Sequence, residues 1–322
     1  MADPPLPMAW DGLQAWRVLD TAFGDGRRFL ATWQAWRDDA SRPHMLHYVA
    51  ICAHGPDAEN LYQTLASFPG LQGPADALLS QWFGLLPGFH RLVLEQGQVL
   101  LTLCIGELIP LLREQHFVAD SVFLGPLNSP LTSSPLPTPE SASWTLKAIS
   151  RCCRRGTSLT AEVASGVASE VLAHNLRDKL QQCGFELQPP EASGPQPDSP
   201  GITPHLVQGH FNPRWDLKNS RGGRPPLAQP PGHCVVIGAG LAGASVAASL
   251  ARRGWRVLVL DAGAAPAAGA SGLPAGLAVP HNSPDDSPRS RLSRAGLRLT
   301  LEQVRGGLQR GEDFDDCGAL ER

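Results

Sequence analysis

The sequence predicts an α/β protein of two units joined by a linker, and three observations carry that prediction. Between residues 12 and 188, strand-like apolar runs alternate with helical stretches, the pattern of a largely parallel sheet covered by helices. Residues 189–232 hold a dense series of prolines and glycines, a composition suited to a linker. From residue 233 a buried strand, a glycine turn, an apolar helix and a second strand follow in close order. The expected organisation is therefore residues 1–188, a linker over 189–232, and residues 233–322.

The first unit is justified element by element. Strands are expected at Ala15–Asp20, Leu46–Cys52, Val99–Cys104, Ser121–Leu124 and Ser158–Val163, with helices at Arg28–Trp36, Pro56–Ser67 and Glu107–Glu114. Inside the linker, His210-Phe-Asn-Pro-Arg-Trp215 carries two aromatics and is expected to dock on a neighbouring surface. In the last unit, His233-Cys-Val-Val-Ile-Gly238-Ala-Gly240-Leu-Ala-Gly243 is followed by a helix from Ala244 to Arg253 and the strand Val257–Leu260.

That last pattern points to a dinucleotide. Gly238 permits the tight turn, Gly240 lets backbone approach a pyrophosphate, and Gly243 lets helix and strand pack closely. Free N–H groups at the helix start favour phosphate. Asp261 stands at the end of the second strand, about 20 residues past the turn, where a carboxylate can hold ribose hydroxyls.

Composition narrows the rest. At 322 residues, with 42% hydrophobic and 18% charged residues, the chain has the make-up of a globular protein with two cores. Its net charge of −3 gives no global attraction to nucleic acid. The local basic groups are Arg151, Arg154 and Arg155, then Arg214, Lys218, Arg221 and Arg224. The seven cysteines form no C-x-x-C pair and sit mostly in apolar runs, so buried thiols are expected; their odd number argues against a disulfide framework, and no metal is expected. With no signal-like start and no span-length apolar run, a cytoplasmic, non-membrane protein is expected.

A second glycine loop follows the first strand, Val18-Leu19-Asp20-Thr21-Ala22-Phe23-Gly24-Asp25-Gly26. It resembles the loop of class I S-adenosylmethionine-dependent methyltransferases, with Ala22 where the first glycine would stand. Extended to Trp33, and joined by Leu86-Pro-Gly-Phe-His-Arg-Leu92, Leu101-Thr-Leu-Cys-Ile-Gly-Glu107 and Ala119-Asp-Ser-Val-Phe-Leu124, it resembles the methyltransferase half of the MnmC family. Ala267-Ala-Gly-Ala270-Ser271-Gly272-Leu-Pro-Ala-Gly276 resembles the flavin half of that family and the wider D-amino-acid oxidase superfamily. Asp285, Asp286, Ser287 and the run from Ser290 to Gly296 continue the likeness.

The resemblance implies a class I methyltransferase-like Rossmann domain followed by the first βαβ part of an FAD-binding Rossmann domain. It implies S-adenosylmethionine at Asp20, Gly24 and Gly26, and FAD at Gly238, Gly240, Gly243, Asp261, Ala270, Ser271 and Gly272. The implied partner is tRNA, whose wobble uridine the family finishes in two steps. A flavin half removes a carboxymethyl group from 5-carboxymethylaminomethyl-2-thiouridine, and a methyltransferase half methylates the amine left behind.

Several family positions depart. Cys52 stands where an acid would hold the cofactor ribose, Gly125-Pro126-Leu127 stands where the family has Asp-Gly-Phe, Glu107 replaces an aspartate, and Leu273 replaces an asparagine. The methyltransferase half is therefore expected to keep its fold with weak or no activity, and weak or no S-adenosylmethionine binding. About 90 residues are also short for a flavin oxidase, so the chain, read as a shortened product or fragment, is not expected to oxidise substrate alone. No catalytic residue is assigned; His90 reads as a structural hydrogen-bonder on a loop. Two alternatives stay open: a small-molecule amine or amino-acid oxidase, and a non-catalytic remnant that binds tRNA or a partner.

Overall fold

The computed structural model describes residue 10 and residues 12–55, 57–66, 69–115, 117–125, 139–163, 169–189, 205–215, 230–316 and 318. Five strands run parallel through the first unit: β1 (Ala15–Asp20), β2 (Met45–Cys52), β4 (Val99–Ile105), β5 (Ala119–Leu124) and β6 (Cys153–Val163). Three more complete the sheet: β3 (Gly88–Leu94), antiparallel to β4; β7 (Phe185–Leu187); and β8 (His205–Phe211), antiparallel to both β6 and β7. The order across the sheet is β3-β4-β2-β1-β5-β6-β8-β7. The fold is thus the expected α/β, class I methyltransferase-like Rossmann sheet.

The central strands are buried almost continuously because helices cover both faces, and successive side chains join opposite cores. Leu46, Tyr48 and Ala50 of β2 join one core, and Val49 and Ile51 join the other. The first core lies under α1 (Arg27–Asp38), α2 (Ala58–Ala66) and α3 (Gln72–Ser80). Helix α1 turns Phe29, Leu30, Trp33 and Trp36 inward at helical spacing. Two indole N–H groups find acceptors, Trp33 on Glu95 Oε1 at 3.0 Å and Trp36 on the Pro43 carbonyl at 2.8 Å. The second core lies under α4 (Leu108–Arg113), α5 (Pro139–Arg151) and α6 (Ser169–Gln182).

Two sequence expectations are corrected here. The first unit does not end at residue 188, because β8 falls inside the stretch read as linker and pairs on both edges within the sheet. Phe211 is buried against Phe185, with ring centroids 5.1 Å apart, so part of the aromatic island belongs to the core. His90 lies on β3, not on a loop. Linker residues 190–204 and 216–229, with Lys218, Arg221 and Arg224 among them, and Pro126, Leu127 and Cys317 lie outside the described residues.

The second unit has a parallel pair, β9 (His233–Ile237) and β10 (Arg256–Leu260), joined by α7 (Leu241–Arg252). A long helix, α8 (Pro288–Gly307), follows and begins with Ser287 accepting from the Ser290 amide at 3.4 Å. Apolar side chains of β9 and β10 stay open to solvent, Ile237 at 88% exposure, a surface of the kind that further protein covers. Among the described residues no helix is long and apolar enough to cross a membrane.

The two units touch through arginines. Arg298 of α8 donates to the carbonyls of Gln81 (2.8 Å), Arg91 (2.8 Å) and Phe83 (3.3 Å) in the first unit. Arg253, just past α7, adds its charge to those of Arg91 and Arg17 around His47 on β2. Burial first, and these cations second, push His47 down to about 4. A histidine held neutral contributes stability that is full above its ordinary value of 6.5 and is lost as pH falls toward 4. Urea unfolding is expected to show roughly 2–3 kcal/mol less stability at pH 4 than at pH 7 from this group. His47→Gln should flatten that part of the profile.

Candidate functional site

Two sites are built at carboxyl ends of parallel strands. The first is the turn between β9 and α7. Gly238 has φ +103°, a left-handed conformation that favours glycine, and its amide donates to the Leu260 carbonyl at 2.7 Å. A Cβ on Gly243 would lie 1.8 Å from the Gly238 carbonyl oxygen, so helix and turn meet as closely as backbone allows. A Cβ on Gly240 would lie 2.9 Å from Ser271 Oγ.

The loop that follows β10 closes over this turn. Ser271 Oγ accepts from the Leu241 amide at 3.0 Å, one of the unpaired donors at the start of α7. Ala267 donates its amide to the Ala239 carbonyl at 3.0 Å. Ala270–Gly272 form a single helical turn, and a Cβ on Gly272 would lie 2.3 Å from the Ala267 carbonyl. Asp261 accepts from the Ala239 amide at 2.6 Å through Oδ2 and from the Gly263 amide at 2.7 Å through Oδ1. These bonds hold its carboxyl below the ordinary value, the Ala239 amide most of all. Each oxygen keeps a second lone pair for a ligand hydroxyl. The structure thus brings Gly238, Gly240, Gly243, Asp261, Ser271 and Gly272 to one cradle at the start of α7, and Ala270 lies beside Ser271 in the same loop.

The second site is the switch point of the large sheet, where order reverses between β1 and β5. Gly24 (φ +59°) and Gly26 (φ +78°) bend the loop after β1, and Gly26 caps α1. Asp20 is fully buried, and three of its roughly four acceptor sites are taken. Oδ1 accepts from the Ala22 amide and from Arg28 Nη1, both at 3.0 Å, and Oδ2 accepts from the Tyr48 hydroxyl at 2.7 Å. Burial raises the Asp20 carboxyl above its ordinary value, while Arg28, Tyr48 and the Ala22 amide pull it back. Cys52 ends β2 with its thiol pushed up to about 12, first by burial and then by Asp20. A neutral thiol is a weak acceptor for ribose hydroxyls.

Ala22 and Gly125 explain each other. A Cβ on Gly125 would lie 2.3 Å from the Ala22 methyl, and the Gly125 amide donates to Thr21 Oγ1 at 3.1 Å. The methyl thus fills the space from which a side chain at 125 would grow. Gly125→Asp is expected to lower stability by about 2 kcal/mol through overpacking, and Ala22→Gly/Gly125→Asp to recover at least half of it. Thermal unfolding of the two single variants and the double variant measures that coupling.

Other expected site groups are structural or separate. His90 Nε2 lies 2.5 Å from the Leu86 carbonyl, while Nδ1 is buried without a partner among the described residues. Burial lowers its pKa, and Arg298 and Arg294 add to that. Arg154 pairs with Asp120 at 2.5 Å, and Arg155 donates to Asn212 and to the Trp215 carbonyl, so this basic group is partly committed within the protein. Glu107 is exposed at the start of α4. Sequence reasoning passed over Arg28; a cation two residues past Gly26 and eight past the loop acid was the available signal.

A glycine-turn unit of this form, set behind a class I methyltransferase-like sheet, defines a chain that joins a methyltransferase-like fold to the opening of a nucleotide-binding Rossmann unit. Residues 233–321 match the FAD dependent oxidoreductase family (DAO). Nearly the whole chain resembles the MnmC family. It is 50% identical over 323 residues to the "tRNA 5-methylaminomethyl-2-thiouridine biosynthesis bifunctional protein MnmC" of Albidiferax ferrireducens, covering 98% of this chain and 51% of that protein. With the protein of the same name from Polaromonas sp. it shares 50% identity over 321 residues, 98% of this chain and 47% of that one. The chain thus spans about half the length of the curated relatives it matches. Among solved structures it is similar to MnmC2 from Aquifex aeolicus, with 14% identity, a TM-score of 0.39, and coverage of 63% of this chain and 56% of that one.

Proposed function

We propose that the protein serves tRNA wobble-uridine modification in the cytoplasm through an FAD-binding second unit, with a first unit that keeps a methyltransferase fold but binds S-adenosylmethionine weakly or not at all. The observation that carries the flavin part is the cradle itself. Gly238 shapes its turn, Gly240 has only the Ser271 side chain against it, and Gly243 seats the start of the helix where a pyrophosphate would be received. Asp261 would hold the ribose of the ADP part, and Ala270, Ser271 and Gly272 would line the path toward the ring. When bound, a flavin supplies an acceptor for amine oxidation, the chemistry needed to remove the carboxymethyl group of 5-carboxymethylaminomethyl-2-thiouridine. Catalytic residues stay unassigned.

The first unit does not fit its expected cofactor. Asp20 already accepts from three internal donors, Cys52 is a neutral thiol, and the place of an amine-facing acid is closed at Gly125 by Ala22. No methyl-transfer step is derived from it. The choice of RNA as substrate rests on the likeness to the MnmC proteins.

Binding of unmodified tRNA to the full chain at several salt concentrations tests the RNA part. Affinity falling steeply with salt is expected, since phosphate contacts release counterions. Absence of binding at low salt would favour a small-molecule amine oxidase instead.

A further inference from the structure

In an open parallel sheet the ligand crevice lies outside the carboxyl ends of the strands, where strand order reverses. Here that place lies above the ends of β1 and β5. Arg28, the second residue of α1, reaches back into it. Its Nη1 donates to Asp20 Oδ1 at 3.0 Å and lies 3.5 Å from the Ala22 carbonyl. Its Nη2 pairs with Glu162, next to the end of β6. Its guanidinium carbon sits 5.3 Å from the centre of the Phe123 ring on β5. A single cation therefore touches the ends of three strands and the glycine loop, with its side chain only 13% exposed.

We propose that Arg28 is an internal occupant of the first unit's crevice, a cation supplied by the chain at the place where a methyltransferase receives its cofactor, and that it sets this crevice against S-adenosylmethionine. The proposal rests on the reading of the first unit as a methyltransferase fold, and it names the residue behind the weak binding.

Three observations distinguish this arginine from an ordinary structural ion pair. Its guanidinium sits at the carboxyl ends of β1 and β6, between Asp20 and Glu162, where the crevice opens. It takes a lone pair of the loop acid that would otherwise orient a ligand. It also ties α1 to β6 over a sequence separation of 134 residues, so the crevice is bridged between its two halves. The sulfonium of S-adenosylmethionine would enter a site whose carboxylates are already matched by a fixed positive charge. The neutral analogue S-adenosylhomocysteine meets the same steric obstacle without the second cation.

Calorimetric titration of the full chain with S-adenosylhomocysteine and S-adenosylmethionine tests the idea, with thermal unfolding of each variant as a check on folding. Arg28→Asn removes the cation and most of its bulk and is expected to tighten S-adenosylhomocysteine binding at least about tenfold, roughly 1.4 kcal/mol. Arg28→Lys keeps the charge and is expected to stay as weak as the wild type. Should Arg28→Asn fail to fold with two acids uncompensated, Arg28→Asn/Glu162→Gln removes one of them and should show the same gain. Weak binding by a folded Arg28→Asn chain, like that of the wild type, overturns the role of Arg28 yet leaves the weak-cofactor reading standing. Micromolar binding of S-adenosylmethionine by the wild type overturns both.

Discussion

Arg298→Ala is expected to destabilise the protein by about 3 kcal/mol, because it breaks a buried charged contact from one side only. Arg298 is 5% exposed, lies 3.5 Å from Glu302 one turn along α8, and donates to three carbonyls across the junction between the units. Its guanidinium also lies 5.3 Å from the centre of the Phe83 ring, with Arg305 at 4.4 Å from the same ring. Truncation removes a donor from each of three carbonyls, of which only that of Gln81 keeps another among the described residues, the Phe83 amide, and it leaves Glu302 with the Val93 backbone bond and the more distant Arg252. Burial already raises the Glu302 carboxyl above its ordinary value, with Arg298 opposing that rise. Arg298→Lys keeps the charge but not the fork that serves several acceptors, so an intermediate loss is expected. Arg298→Ala/Glu302→Ala should recover part of it, since the acid that loses its nearest cation is gone. Guanidinium unfolding of the four chains measures the series. A loss below about 0.5 kcal/mol for Arg298→Ala, the range of ordinary surface changes, would mean that α8 is not anchored by this residue.

Gly243→Ala is expected to disable the nucleotide cradle. A methyl at 243 would lie 1.8 Å from a backbone carbonyl that cannot swing aside, so α7 must move away from the turn. Overpacking of this kind costs about 1–3 kcal/mol. The geometry of the exposed amides is lost with it, and affinity for ADP, the adenine half of FAD, should fall by at least about tenfold. Gly240→Ala should be milder for stability, because its methyl meets only the hydroxyl end of Ser271 at 2.9 Å. Gly276, with nothing within 4 Å of its added methyl, provides the neutral control. Thermal unfolding and ADP titration of the three variants give the comparison, and an undisturbed Gly243→Ala chain would contradict the described turn.

Much of this architecture can be read in the chain because local signals and tertiary structure agree. Strand β1 is a short, largely apolar run that ends at an acid and a glycine loop, and the β9–α7–β10 unit places three glycines and Asp261 at fixed offsets. What stays hidden depends on partners distant in sequence. Strand β8 contains Gly209 and lies among prolines, a local pattern that reads as linker. Gly209 is there because a Cβ would come within 2.3 Å of the Glu186 carbonyl on the neighbouring strand. Strand β3 was hidden behind its motif likeness, and its antiparallel pairing with β4 follows from a short connection, Glu95–Gly97. Arg28 and Arg298 carry no apolar period at all. Their roles depend on Glu162 and on Gln81, 134 and 217 residues away, and no single sequence announces such pairings.

The two nucleotide sites differ in kind, one an exposed cradle and the other a crevice filled by the chain's own side chains. Parallel calorimetric titrations of the purified wild-type chain with ADP and with S-adenosylmethionine test that difference most directly. The structure predicts saturable binding of ADP that is lost in Gly243→Ala, and weak or no binding of S-adenosylmethionine. Micromolar binding of S-adenosylmethionine together with no binding of ADP would contradict it.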